Sequence, residues 1–147
     1  MIHEEICTYE VSKLAKEKGF PQKIDFGGYW YATKYYKNSG VGEFFEKDKV
    51  QAEDYQDVCN ALYLMEVGKA IAAPTQALLQ RWLRKKKNIH IEIVATACGY
   101  VWIADKTNGT AITDSDILDR GTNEGGCFDT YELALEDALK YALENLV

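Results

Sequence analysis

Apolar and polar residues alternate most regularly in the second half of the chain. Ile89, Ile91 and Ile93 alternate with His90 and Glu92. A period of two is that of a strand whose successive side chains point to opposite faces of a sheet. This stretch therefore predicts a strand with one aliphatic face.

The residues after this strand predict an antiparallel return. A turn at Cys98–Gly99 would place Ala95 opposite Trp102 and Ile93 opposite Ala104. In that register Trp102 lies on the aliphatic face of the sheet.

A third strand and a loop are predicted next. Asn108–Gly109 is a strong signal for a two-residue hairpin turn, because both positions of such a turn need positive φ angles. It predicts a strand over 110–113 and hence a consecutive antiparallel sheet. The polar stretch 114–126 predicts a loop, with Gly121–Gly126 as a flexible connection.

A helix is predicted before these strands. Pro74 suits a helix start because its φ angle is fixed and it lacks an N–H donor, and Thr75 can cap the free amides. The apolar stripe of this helix comprises Leu78, Leu79, Trp82 and Leu83, and the residues that face away are Gln80, Arg81, Arg84, Lys85 and Asn88. We expect Trp82 to be a buried anchor packed against the isoleucine face of the strand.

A second helix is predicted after the strands. Asp129 or Thr130 can cap it, and its apolar residues form a broad face that includes Ala134, Ala138 and Ala142. Residues 73–147 therefore predict the order helix, strand, strand, strand, helix. The fold class is α+β, with an antiparallel sheet packed against helices.

The first half of the chain has weaker patterns. Thr8 can cap a helix over Tyr9–Lys18. The aromatic-rich run Tyr29–Tyr36 predicts a strand, which Asn38–Ser39–Gly40 turns back into a partner strand over 41–45.

One segment fits two structures. Apolar residues in 53–66 follow helical spacing, but the short apolar run 62–67 also suits a strand. Helix and strand remain alternatives for this segment.

The bulk composition is that of a globular protein. At 147 residues the chain fits a single domain, 1–147, made of an N-terminal region over residues 1–72 and the module 73–147. No apolar run approaches the ~20 residues of a membrane helix, and the amino terminus has acidic residues where a secretory signal has basic ones. We expect a cytoplasmic protein without membrane contact.

The potential metal ligands have no recognised spacing. Four cysteines (Cys7, Cys59, Cys98 and Cys127) lie far apart without a C-x-x-C pair, which favours buried free thiols. Asp114–Ser115–Asp116 opens like a calcium loop, but Asp119 stands where that loop requires glycine. We expect neither a metal nor a cofactor.

Charge is distributed unevenly along the chain. The formal net charge of −6 disfavours a partner bound mainly through phosphates, because each phosphate contact needs a Lys or Arg. Five basic residues nevertheless crowd the end of the helix predicted after Pro74: Arg81, Arg84, Lys85, Lys86 and Lys87. Arg81, Arg84 and Lys85 recur at helical spacing and are the candidate binding residues. The alternative is a solvated face that offsets the helix dipole.

Two other groups of residues are candidate sites. His90 and Glu92 share one strand face and could serve general base chemistry or metal binding. Because no third partner is evident, a structural role is favoured for the pair. An enzyme is therefore the less favoured class of protein. The aromatic run Tyr29–Tyr36 could stack on bases or sugars. Its alternation divides the rings between two faces, so that some of its rings must belong to the core.

Five short segments carry a resemblance. They are Ala73–Pro74–Thr75, Trp82–Leu83–Arg84, Asn88–Ile89–His90–Ile91, Gly99–Tyr100 and Tyr131–Glu132–Leu133–Ala134–Leu135. Together they are similar to a module of small uncharacterised proteins from bacteriophages and prophages of gut Bacteroidetes, and residues 8–20 resemble the way such proteins begin. The resemblance implies a phage or mobile-element origin and implies no activity, while residues 21–72 have no counterpart.

The predicted order of elements in 73–147 is also that of double-stranded RNA-binding domains, which place basic residues at the start of their last helix. Here that position holds Asp129–Thr130–Tyr131–Glu132, so the likeness is one of connectivity. The sequence predicts binding of a protein partner, from host or phage, through Arg81, Arg84 and Lys85. Nucleic-acid binding through the Arg81 to Lys87 patch is the alternative, and an enzyme using His90 and Glu92 comes third.

Overall fold

The structure, a computed structural model, describes residues 3–32, 36–38, 42–44, 48–107 and 111–147. Across these residues the fold is mixed α+β, and each strand pair is antiparallel. The predicted fold class is thereby confirmed. Residues 6–74 form one compact unit, and residues 75–147 with 3–5 form another. The assignment of a single domain stays a prediction.

The unit 6–74 is built from short elements. They are α1 (Tyr9–Glu17), β1 (Tyr29–Ala32), β2 (Tyr36–Asn38), β3 (Gly42–Phe44), β4 (Lys49–Gln51), α2 (Tyr55–Glu66) and β5 (Ala70–Ala73). Strand β1 is central in a sheet of order β4-β1-β5, and β2 pairs with β3. The predicted strand 29–36 is found only in part, as β1, and it pairs with β4 and β5 instead of with residues 41–45. A hairpin does join β2 and β3, but Tyr36 is the only residue of the predicted strand in it. Residues 33–35 and 39–41 lie outside the described residues.

Side-chain caps begin both helices of this unit. The Val11 amide donates to Thr8 Oγ1 at 3.3 Å, as predicted for α1. At the start of α2, the Asp57 amide donates to Asp54 Oδ1 at 2.8 Å. The helix continues to Glu66, so the alternative of a strand over 62–67 is wrong.

The two faces of β1 bury different aromatic residues. Trp30 is 3% exposed and belongs to a cluster with Leu64 and Met65 of α2. Tyr31 lies on the opposite face, where its hydroxyl donates to the Cys7 carbonyl at 2.7 Å and its ring meets that of Tyr9 edge-on at 5.7 Å. Trp30 and Tyr31 are therefore core rings and are not open to base stacking. Of the other candidates for stacking, Tyr29 is half-buried, and the side chains of Tyr35 and Tyr36 lie outside the described residues.

The unit that contains 75–147 follows the predicted order. Its elements are α3 (Gln76–Lys87), β6 (Ile89–Thr96), β7 (Gly99–Lys106), β8 (Ala111–Asp114) and α4 (Tyr131–Asn145). The sheet order is β6-β7-β8, and both helices pack on β6 or β7 and on each other. The predicted turn at Asn108–Gly109 lies outside the described residues. No described helix of either unit is long and apolar enough to cross a membrane.

Helices α3 and α4 run side by side in the same direction. At their starts, Gln76 Nε2 donates to the Glu132 carbonyl at 2.9 Å and to Glu136 Oε2 at 2.7 Å. At the far end of α4, Lys106 Nζ donates to the Leu146 carbonyl at 3.0 Å. The carboxyl-terminal ends of α3 and α4 therefore lie near the same end of the strands in this sheet.

Trp102 is the central side chain of this unit. It is fully buried, and its Nε1 donates to Asp137 Oδ2 at 2.9 Å. Arg120 donates twice to the same carboxylate, at 2.8 Å from each nitrogen, and lies over the ring of Tyr141. The hydrogen bond to Asp137 raises the pKa of Arg120 above its ordinary value. The carboxylate thus joins the sheet, the loop after β8 and α4.

The predicted register of β6 and β7 is wrong by two residues. Ile93 lies opposite Trp102 and Ala95 opposite Tyr100, because the turn is formed by Ala97 and Cys98. Gly99 belongs to β7. A glycine is required there because the Phe128 backbone lies so close that a Cβ at position 99 would be 2.4 Å from the Phe128 carbonyl oxygen. A shift of two residues leaves each side chain on its face, so Trp102 lies on the aliphatic face as predicted.

Candidate protein-binding surface on helix α3

Local contacts fix how α3 lies on the sheet. Thr75 caps the helix by accepting from the Leu78 amide at 3.1 Å, and Asn88 ends it in the left-handed conformation with φ 58°. Leu79 and Leu83 are fully buried beneath the helix. Gln80, predicted to face away, instead donates from Nε2 to the Ile91 carbonyl at 3.0 Å and so ties α3 to β6.

The predicted binding residues share the exposed side of α3. Arg81, Arg84 and Lys85 are exposed, as is Lys86. Within the described residues of the chain, none of these four side chains lies within 4.0 Å of a carboxylate. Lys87 differs, because its Nζ lies 5.4 Å from the ring centroid of Trp82. The end of α3 therefore presents unpaired positive charge to solvent.

Trp82 is not the fully buried anchor that the apolar stripe predicted. It is partly exposed, and Leu78, one turn earlier, is 51% exposed. The reason is the width of the contact. The sheet and α4 together bury Gln76, Leu79 and Leu83, and the line through Leu78 and Trp82 is rotated about 100° from Leu79 and Leu83. Leu78 and Trp82 thus form an apolar ridge with Arg81 and Lys85 beside it on the exposed side of α3.

We call the set Leu78, Arg81, Trp82, Arg84 and Lys85 the α3 surface. Sequence reasoning identified its three cations but missed its apolar members, which it assigned to the core. No signal in the sequence separates Leu78 and Trp82 from Leu79 and Leu83, since the four together form a stripe of the ordinary width of a buried helix face.

The pair His90 and Glu92 lies on the outer side of β6. Both side chains are exposed, whereas the alternating residues Ile89 and Ile91 are buried. His90 lies opposite Asp105 in the ladder. Among the described residues no group of three or more His, Cys, Asp or Glu side chains could hold a metal ion. The described residues therefore add no set of metal ligands to this pair.

The cysteines only partly match the predicted buried thiols. Cys7 and Cys127 are buried, Cys59 is half-buried, and Cys98 is exposed in the turn between β6 and β7. Cys98 and Cys127, distant in sequence, belong to neighbouring segments of the unit that contains 75–147. Their spacing in the chain carried no sign of this.

Comparison of this chain with known protein families, with curated proteins and with solved structures finds no match.

Proposed function

We propose that the protein acts by binding an acidic protein partner through the α3 surface. The observation that carries the proposal is the ridge formed by exposed Leu78 and partly exposed Trp82. Arg81 and Lys85 lie beside it and Arg84 lies farther around the helix, and none of the three has a carboxylate partner among the described residues. Trp and Arg are the residue types most enriched where binding energy concentrates in protein interfaces.

The mixture of apolar and basic side chains favours a protein over a nucleic acid. A protein interface has an apolar centre and a polar rim, and exposed carboxylates of a partner would fit the cations around this ridge. A nucleic-acid backbone would use the cations and leave Leu78 without a complementary surface.

The neighbouring helix also opposes a polyanion. Helix α4 packs beside α3 and has exposed carboxylates at Glu132 and Glu144. These charges lie in the same unit as the α3 surface, and the whole chain has a net charge of −6. An extended phosphate backbone would meet repulsion beyond the few contacts that the patch provides.

The setting we propose follows from the resemblance of 73–147 to phage proteins. A protein of a gut Bacteroidetes host, or of the phage itself, is the class of partner to screen first. We further propose that binding takes place in the cytoplasm.

A capture experiment with matched charge variants tests the proposal. The protein is immobilised and exposed to nuclease-treated Bacteroidetes lysate, beside the double variant Arg84→Glu with Lys85→Glu. The control is Lys13→Glu with Lys23→Glu, two exposed lysines of the unit 6–74, which changes the net charge by the same amount. We expect one or more proteins to be retained by the wild type and the control and lost by the α3 variant.

Nucleic-acid binding is tested in parallel by titrating a random DNA duplex and a double-stranded RNA. At ~150 mM salt we expect no binding in the micromolar range or tighter. Binding of that strength, weakened by the α3 variant and not by the control, would contradict the proposal and establish the alternative.

A further inference from the structure

The chain brings two distant cysteines to one end of the sheet β6-β7-β8. Cys98 lies in the turn between β6 and β7, and Cys127 lies just before α4. A pair of backbone hydrogen bonds holds the two segments together, from the Tyr100 amide to the Phe128 carbonyl and from the Phe128 amide to the Tyr100 carbonyl, each 2.8 Å long. The position of Cys127 relative to the turn is therefore fixed by backbone contacts.

One side chain bonds to both cysteines. Asn123 Nδ2 donates to the Cys98 carbonyl at 2.8 Å, and Asn123 Oδ1 accepts from the Cys127 amide at 2.8 Å and from the Gly125 amide at 3.0 Å. The segment Gly121–Gly126, predicted to be a flexible connection, is thus an ordered loop closed by hydrogen bonds. Its glycines permit close approach, since a Cβ at Gly121 would lie 1.9 Å from the Gly126 carbonyl carbon.

The two sulfur atoms share the same few neighbours. Thr96 Oγ1 lies 3.5 Å from Cys127 Sγ and accepts from the Cys98 amide at 3.3 Å. Gly125 touches both thiols, because its carbonyl lies 3.7 Å from Cys127 Sγ and a Cβ on it would lie 3.1 Å from Cys98 Sγ. The pKa of Cys98 is raised, first by a hydrogen bond to the Cys127 thiol and then by the charge of that group. Both thiols therefore lie in the same small space beside Thr96 and Gly125.

We propose that Cys98 and Cys127 form a modification site at which a low-molecular-weight disulfide of the glutathione type introduces a reversible intramolecular disulfide. The Cys98 thiolate, which is exposed, attacks one sulfur of the small disulfide, forms a mixed disulfide and releases one small thiolate. The Cys127 thiolate then attacks the Cys98 sulfur, and the second small thiolate leaves. Two protein thiols lose two electrons and two protons, and the small disulfide gains them as two thiols.

The product would connect the β6–β7 turn to the start of α4 through a covalent bond. It closes a loop of about 30 residues, which restricts the unfolded chain and raises the midpoint of thermal unfolding by about 5 to 10 °C. A small thiol in excess reverses the reaction. This site is separate from the α3 surface, so that either proposal can fail without the other.

The experiment follows the mass of the whole protein during exposure to oxidised glutathione. We expect the reduced protein to lose the mass of two hydrogen atoms without retaining glutathione, and peptide mapping to find Cys98 linked to Cys127. Thermal unfolding should shift upward and return on addition of a small thiol. A lasting glutathione adduct on Cys98, or a link that involves Cys7 or Cys59, would overturn the proposal.

Three variants separate the two steps of the reaction. Cys127→Ser should stop at a stable glutathione adduct on Cys98, and Cys98→Ser, at an exposed position, should gain neither a disulfide nor a thermal shift. Cys59→Ser is the matched control and should form the disulfide as the wild type does. Asn123→Ala tests whether Asn123 positions Cys127 near Cys98. The mixed disulfide on Cys98 should accumulate, because Cys127 attacks it more slowly. Formation of the intramolecular disulfide at the wild-type rate would contradict this role of Asn123.

Discussion

Two tryptophans of the unit that contains 75–147 have opposite surroundings. Trp102 is fully buried, its ring centroid lies 5.1 Å from that of Tyr141, and its indole nitrogen donates to Asp137. Trp82 is partly exposed on α3, next to Leu78 and under the ammonium group of Lys87. A buried ring with a fixed polar partner stabilises the fold, whereas the exposed part of a half-buried ring beside basic side chains can contact a partner. The difference separates the residues that specify the structure of this unit from those that we propose to bind.

The largest effect is expected at Trp102. Trp102→Ala removes a fully buried ring and leaves Asp137 without one of its donors, so the free energy of unfolding should fall by about 3 to 5 kcal/mol. Urea denaturation followed by circular dichroism measures it. A loss no larger than that of Trp82→Ala would remove the contrast between the two residues.

A smaller effect on stability is expected at Asp137. Substitution of Asp137 changes the hydrogen bond of Trp102 but leaves the Trp102 ring in place. Asp137→Asn keeps the shape of the side chain but weakens the paired hydrogen bonds from Arg120, which are partly exposed. We expect a loss of about 1 to 3 kcal/mol in the free energy of unfolding. As a control, Glu144→Gln changes the charge of α4 equally at an exposed position and should leave stability nearly unchanged.

The smallest effect on stability is expected at Trp82. Trp82→Ala should lower the free energy of unfolding by about 1 to 2 kcal/mol, less than for a fully buried ring because part of this ring is already solvated. Leu79→Ala, one turn earlier and fully buried, is the matched control in the same helix and should cost about 2 to 5 kcal/mol. If Trp82→Ala cost as much as Leu79→Ala, Trp82 would belong to the core and the α3 surface would lose its centre.

Local rules were enough to predict most of the secondary structure. The cap at Thr75, the alternation from Ile89 onward and the face of Trp102 depend on neighbours a few residues apart, and each is found as predicted. The fold class followed from the same patterns. The register of β6 and β7 did not, because Gly99 was assigned to the turn when it is needed where Phe128 approaches from a distant segment.

The candidate sites depend on contacts that no local pattern encodes. The apolar stripe of α3 places Leu78 and Leu79 side by side, and only the position of the sheet decides that Leu79 is buried and Leu78 is exposed. Likewise, Cys98 and Cys127 lie in neighbouring segments because the Tyr100 and Phe128 backbones bond to each other and because Asn123, four residues before Cys127, bonds to the Cys98 carbonyl. Long-range packing determines both which apolar residues of α3 are exposed and which cysteines are neighbours in space.

The most direct measurement of the proposed function is site-specific photo-crosslinking from α3. A photoreactive residue replaces Leu78 in one sample and Leu133 of α4 in another, since both side chains are 51% exposed in the same unit. In Bacteroidetes lysate we expect a discrete protein adduct from position 78 that is absent from position 133, and its loss when Arg84→Glu and Lys85→Glu are added. Equal adducts from both positions, or an adduct at 78 that survives charge reversal, would contradict binding through the α3 surface.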